Sequence, residues 1–534
     1  MNKRFILFSL GRLLEVLSVL LLVPTLIAYS EIPAASFPSF LFDPRIFGFI
    51  MAILSSLFFG NVLKIFGKRE LTGTGIREGF AIVTFGWVAL TLLGCIPLMT
   101  YFLREVQVFS APVLFEAFTN AYFEIMSGFT TTGATILTHV EQMPQGILFW
   151  RSLTHWLGGM GIITLALAIL PAFGIASYQM FRGEIPGPTA ERLKPRLAQT
   201  AKILWATYVV LTLLEVALLK FGGMTVFDAF CHAFGTMATG GFSTKNGSIG
   251  SYNSAFIEWV VIVFMFFAGM NFVIHYRVIF SRKLDLLKNN REFHFYTAVI
   301  VSAIILSTVI LSAKGIASED QIARSFRSEP LSQEALGKKA ISEQAKLDSF
   351  GDTLRHSAFQ VVAITTTTGY CTVDFDTWPN FIRYLLVILM FFGGCAGSTG
   401  GGIKMLRIMV IIKDAWREIR TTIQPRMIAP IKIGGKTMDE KRVANIGGFV
   451  ALFAAFFIVF TLIMSFLLED FTTAFTAVAA TMCNIGPGLS GIGAAENYAW
   501  IPLTGKWVLV LCMLLGRLEI YAVLIVLSPI SWRK

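Results

Sequence analysis

The chain of 534 residues is 55% apolar and only 14% charged, with a mean hydropathy of +0.69. That composition excludes an ordinary soluble domain and places the chain among membrane proteins. Its formal charge of +11 would suit a polyanion, but the basic residues gather in alternate loops. The excess is therefore topological, and no nucleic-acid partner is implied.

Apolar runs of the length a bilayer asks of a helix are predicted at 5–28, 46–65, 80–102, 147–172 and 201–221. They continue at 256–280, 295–313, 381–392 with its extension 403–416, 446–468 and 507–527, making ten spans. Met1-Asn2-Lys3-Arg4 ahead of an apolar run resembles the start of a signal peptide. The run continues to Ala28 without a clean small-residue cleavage site, so it reads as a first span. Shorter segments at 113–127, 226–237, 354–364 and 472–481 lie between later spans. The expected fold is an all-α membrane protein of ten transmembrane helices. An N-terminal two-helix hairpin (1–74) precedes four pseudo-symmetric units of span, pore segment and span at 75–180, 181–292, 293–443 and 444–534.

Lys64, Lys68, Arg69 and Arg77 share one loop, and Arg182, Arg192, Lys194, Arg196 and Lys202 the next. Arg282, Lys283, Lys288 and Arg291 follow; the stretch 404–442 then holds ten Lys/Arg against four Asp/Glu. The polar loop 314–352 holds six against seven. Basic loops inside put the N-terminus in the cytoplasm and 314–352 on the outer face.

Each of the four short segments runs into a polar turn that ends on glycine. The turns are Thr130-Thr131-Thr132-Gly133, Met237-Ala238-Thr239-Gly240, Thr365-Thr366-Thr367-Thr368-Gly369 and Cys483-Asn484-Ile485-Gly486. One such turn alone is a helix C-cap. Four, at matching places in four matching units, describe a pore whose fourfold axis is made within one chain. A dehydrating cation needs oxygens that replace water without gripping the ion, and converging backbone carbonyls supply them. Glycine permits the backbone conformation this requires. The expected ion-lining set is Thr131, Thr132, Gly133, Thr239, Gly240, Thr368, Gly369, Asn484, Ile485 and Gly486, and its uneven threonine content predicts moderate ion discrimination.

Phe391–Lys404 carries Gly393, Gly394, Gly397, Ser398, Thr399, Gly400, Gly401 and Gly402 inside a predicted span. No phosphate-loop spacing is present, so no nucleotide is expected on this chain. The run reads as a broken helix forming an intramembrane loop below the turns, either a movable gate or a plain hinge. Arg517, in the last span, is read either as facing the pore, or as pairing with Glu519 or a neighbouring acid or snorkelling toward the cytoplasm. Glu116, Glu124, Asp374, Asp376 and Glu496 near the outer mouth are candidates for concentrating cations or for local hydrogen bonding. His155, His232 and His275 read as packing residues, and the six scattered cysteines as small buried apolar groups.

These motifs resemble the Trk/Ktr/HKT superfamily of potassium transporters, and within it the TrkH/TrkG-type bacterial uptake proteins. The carriers are Ser127-Gly128-Phe129-Thr130-Thr131-Thr132-Gly133-Ala134-Thr135, Thr239-Gly240-Gly241-Phe242-Ser243-Thr244 and Thr366-Thr367-Thr368-Gly369-Tyr370. Asn484-Ile485-Gly486-Pro487-Gly488 and Gly397-Ser398-Thr399-Gly400-Gly401-Gly402-Ile403-Lys404 complete the set. The resemblance implies a non-enzymatic potassium (K+) transport protein of the bacterial inner membrane. It makes Gly133, Gly240, Gly369 and Gly486 selectivity-filter glycines, 393–402 a gating loop and Arg517 the arginine beneath the filter. It also implies a homodimer set in membrane lipid and a cytoplasmic TrkA-type nucleotide-binding regulatory ring. A potassium-binding subunit of the Kdp P-type ATPase shares the four-unit core, but its extra spans flank that core; here both precede it. A pump subunit and a proton-coupled symport mechanism stand as the alternatives.

Overall fold

The computed structural model describes residues 1–32, 43–68, 76–104, 106, 110–161, 197–279, 282, 285–317, 340–518 and 520–533. Among them the regular structure is α-helical and 3-10 helical, apart from a two-stranded hairpin of Lys432–Ile433 and Lys436–Thr437. Six helices are long and apolar enough to cross a bilayer: Lys3–Ser30, Pro44–Phe66, Arg77–Leu103, Ala201–Phe221, Arg291–Lys314 and Glu440–Leu467. Two bent pairs raise this to eight if each pair is one span: Ala255–Ala268 with Phe272–Val278, and Leu503–Leu518 with Ile520–Leu527.

The predicted spans at 147–172 and 381–416 take other forms. The first begins as the helix Gln145–Gly159, and its remainder past Gly161 lies outside the described residues. So do Arg182, Arg192, Lys194 and Arg196 of the basic loop, Glu519, and 318–339 of the long polar loop. The second is broken: Asn380–Phe392 stops at Gly393, and Met405–Ile423 resumes after the glycine-rich stretch.

The four predicted short segments are the helices Ala111–Phe129, Val226–Ala238, Phe350–Thr365 and Phe471–Met482. Their starts follow from sequence. Thr225 and Asp228 exchange hydrogen bonds across the first turn, as do Ser349 and Asp352. The Asp470 side chain accepts from the amides of Thr472 and Thr473. These are reciprocal or acidic N-caps, which satisfy amides that have no partner within the helix. The C-terminal halves of all four helices are buried.

The N-terminal hairpin packs through small residues. A Cβ on Gly11 would stand 2.5 Å from the Gly60 carbonyl oxygen, and one on Gly60 3.0 Å from that of Gly11. Such contacts let membrane helices approach backbone to backbone, where packing rather than the hydrophobic effect holds them. Beyond it, Glu31 accepts a hydrogen bond from the Gln145 amide at 3.0 Å, placing a carboxylate at the N-terminus of Gln145–Gly159. The hairpin is thereby tied to the helix that backs the first two turns.

Candidate functional site

Each short helix ends in the same way. The Thr131, Thr239, Thr367 and Asn484 residues adopt left-handed conformations, with φ of 53°, 56°, 62° and 56°. The next amide in each turn reaches back five residues: Thr132 to the Ser127 carbonyl, Gly240 to Gly235, Thr368 to Ala363 and Ile485 to Ala480, at 2.8–2.9 Å. This is the Schellman cap, which satisfies carbonyls left open at a helix end. One position later the backbone again has positive φ, at Gly133, Gly241, Gly369 and Gly486. In the second turn, then, the residue equivalent to Gly133 is Gly241; Gly240 occupies the place of Thr132, Thr368 and Ile485. Reading that turn from its first glycine places it one residue early.

The four turns meet in a closed cycle. A Cβ built on Gly133 would strike the carbonyl oxygen of Gly240, and one on Gly241 that of Thr368. A Cβ on Gly369 would strike the Ile485 oxygen; one on Gly486 would lie 2.7 Å from the Thr132 oxygen. Each glycine thus abuts the next turn's carbonyl at the equivalent position, and the fourth turn returns to the first. A side chain at any of the four would push into a neighbouring backbone. Gly133, Gly241, Gly369 and Gly486 form part of the lining of one cavity of about 250 Å³.

Of the two readings offered for the acids near this mouth, local bonding is the one that Glu124 and Asp376 take. Glu124 is fully buried and bonded to Arg151, with 2.7–2.8 Å contacts, and it also accepts from Thr135 Oγ1 and the Ile136 amide. The Arg151 guanidinium lies 4.1 Å over the Phe242 ring. The pair joins the first short helix to the chain just after the second turn. Asp376 is buried too, accepting from Arg383 at 2.9 Å and from the Ser490 amide at 2.9 Å. Burial, and then the charge of Asp374, push the Asp376 carboxyl up to about 7 against the opposing pull of Arg383. Asp374 is also buried, and Glu116 is exposed but not on the cavity wall. Of the five acids, Glu496 lines the cavity, where Arg151 and Lys245 join it.

The glycine-rich loop lies directly against the turns. The Gly401 amide donates to Thr367 Oγ1 at 2.7 Å, and Thr399 Oγ1 to the Met237 carbonyl at 3.0 Å. A Cβ on Gly401 would meet the Cys483 carbonyl, and one on Gly400 the Thr366 oxygen at 2.9 Å. Turns two, three and four are all touched. Gly393, Gly397 and Gly402 hold positive φ within the loop, and Lys404 ends it buried at φ 70°, donating to Gly400. Gly394 packs against Ser398. The loop is docked by Glu292, which accepts from the Ala396 amide at 2.6 Å, and by the Cys395 amide, which donates to Gly269. Arg517 completes the layer, donating to the carbonyls of Thr399, Gly158 and Gly159.

His232 and His275 are satisfied packing residues, bonded to Asp228 and Ser243, and to Phe267. All six cysteines are buried and unbridged. Sequence reasoning did not reach Glu292, or Arg151 as the partner of Glu124. An arginine four residues before His155 on an apolar helix was the available signal, since a charge there demands a counter-charge.

Four helix C-termini converging on one ring, in a chain rich in membrane-length helices, define an integral membrane protein of the transport class. The sequence profile of a family described as a cation transport protein, TrkH, matches residues 45–532. The Trk system potassium uptake protein TrkH of Salmonella typhimurium is 36% identical over 489 residues, covering 91% of this chain and 92% of its own. The Vibrio parahaemolyticus protein of that name is 35% identical over 535 residues, covering all of both chains. The crystal structure of the potassium transporter TrkH from Vibrio parahaemolyticus superposes with a TM-score of 0.80 at 32% identity, again over both complete chains. The chain belongs to the TrkH family, a family of transporters and not of enzymes.

Proposed function

We propose that this chain carries potassium into the bacterial cytoplasm, down the electrochemical gradient, through the ring formed by the four turns. The observation that carries this reading is the closed cycle of glycine-to-carbonyl contacts at Gly133, Gly241, Gly369 and Gly486. Carbonyls at Thr132, Gly240, Thr368 and Ile485 are the expected ion ligands, held at the C-termini of helices whose dipoles favour a cation. The broken span and the helix begun at Gln145 bring the spans to ten, arranged as the N-terminal hairpin and four units of span, short helix and span. Isotope flux into proteoliposomes at clamped potential tests it: uptake should follow voltage, and excess sodium should compete weakly. Flux indifferent to voltage, or equal for both ions, would reject it.

The layer made by 393–402 and Arg517 is the closed gate in this reading. Its opening is governed by a cytoplasmic nucleotide-binding ring, and the functional unit is a homodimer in the inner membrane with the N-terminus inside. Deleting Cys395 to Ser398 removes the docking bonds to Gly269 and Glu292, worth about 1 kcal/mol for the first and 1.5–3 for the second. Basal flux without the ring should rise on the order of 10-fold or more; flux and regulation unaltered by the deletion would remove the gate from the loop.

Lys245 on the wall of the outer cavity opposes cation entry. Across roughly 8 Å of water one charge changes local ion occupancy by about 1.5- to 2.5-fold, from physiological to low salt. Lys245→Gln should therefore lower the potassium concentration giving half-maximal uptake, and the gain should shrink at high ionic strength. A gain of equal size at all salt concentrations would contradict an electrostatic cause.

A further inference from the structure

Gly240 is the exception among its equivalents. Thr132, Thr368 and Ile485 hold the same place in their turns and carry fully buried side chains. The backbone does not require glycine there, since Gly240 is not among the residues with positive φ. Space does. A Cβ on Gly240 would land on the imidazole of His155, striking Nδ1, with Cγ at 2.5 Å and Cε1 at 2.7 Å. His155 is fully buried, projecting from the helix Gln145–Gly159.

We propose that His155 is a positioning residue for the second turn, its ring standing in for the side chain that this turn lacks. The proposal rests on the filter reading above. The same ring packs on Phe242 at 4.1 Å between centroids, and Arg151, one helical turn earlier, caps Phe242 as well. Residues on both sides of Gly241 are thus gripped from one helix face, where positions four apart lie together. At Gly159 the same helix approaches the Ala238 backbone to where a Cβ would stand 2.6 Å from Cα. His155 fixes how far the Gly240 carbonyl stands from the axis, and that oxygen is the one against which Gly133 packs. Loosening it changes the size and stiffness of the ring, on which discrimination between cations of different radius depends.

The test is a cycle of substitutions read as potassium-over-sodium discrimination in proteoliposomes, with thermal stability in detergent measured alongside. His155→Ala should lower discrimination several-fold, and more than it lowers total uptake, while His155→Gln, which refills the space, should recover most of the loss. Gly240→Thr alone should reduce uptake at least tenfold. Combined with His155→Ala, it should regain discrimination, because the new side chain occupies the vacated volume. If Gly240→Thr fails to fold, the contrast between His155→Ala and His155→Gln decides the matter. A double variant no better than Gly240→Thr, or alanine and glutamine at 155 behaving alike, would overturn the proposal. Gly369→Ser separates the two readings. If it shifts discrimination and the 155/240 pair does not, only the role of His155 falls; if neither shifts it, the filter reading falls first.

Discussion

Replacing Glu124 with alanine is expected to cost this protein about 3–5 kcal/mol of stability and nearly all of its uptake. Arg151 would be left fully buried beside Phe242, its main counter-charge gone. A guanidinium cannot shed its proton to escape the penalty, as a carboxyl can. Arg151→Ala should be harmful but less so, because Glu124 keeps the hydrogen bonds from Thr135 and the Ile136 amide. The joint change Glu124→Leu with Arg151→Met should do less damage than either single substitution, because replacing both charges by apolar groups avoids an unpaired ion. Thermal unfolding in detergent measures the first quantity and isotope uptake the second. Single variants within about 0.5 kcal/mol of the parent would show that this pair does not brace the junction between the first and second turns.

The fold was legible where polarity contrasts with its surroundings. Thr-rich turns inside apolar stretches stand out, and the four short helices lie within a few residues of their predicted limits. The register of the second turn was not legible. Gly240 and Gly241 are adjacent, and it takes the hydrogen bond from the Gly240 amide to Gly235 and the positive φ of Gly241 to say which is which. Nor can a sequence show that a helix C-cap and a pore ligand are the same object: each turn here is a complete Schellman cap and also a member of the ring. The two readings of Glu124 stayed open because its partner stands 27 residues further on, upon a different helix. A carboxylate read without its counter-charge fits a cation attractor and a hydrogen-bond acceptor equally well. Contacts of the loop at 393–402 with three separate turns depend on the whole assembly, and no local pattern encodes them.

Gly369→Ser should produce the sharpest change in ion selection of a serine placed at any of Gly133, Gly241, Gly369 and Gly486. Its φ of 76° costs a side chain of order 1–3 kcal/mol wherever it occurs. At this position the new Cβ must also displace the Ile485 carbonyl and the Pro487 ring, whose Cδ would be 2.8 Å away. The displaced oxygen is an expected ion ligand, so the damage falls on binding and selection and not merely on folding. The potassium needed for half-maximal uptake should rise, or discrimination against sodium fall, by about tenfold, the equivalent of 1.4 kcal/mol at the ion. Gly434 supplies the control. It holds φ of 56° in the exposed hairpin turn, and a Cβ there meets nothing within 4 Å. Gly434→Ser incurs the backbone penalty without touching the ring, so it should lower stability slightly and leave ion selection alone. If the two serines changed selection equally, backbone strain would explain both results. The contact between the third and fourth turns would then have no special part in choosing the ion.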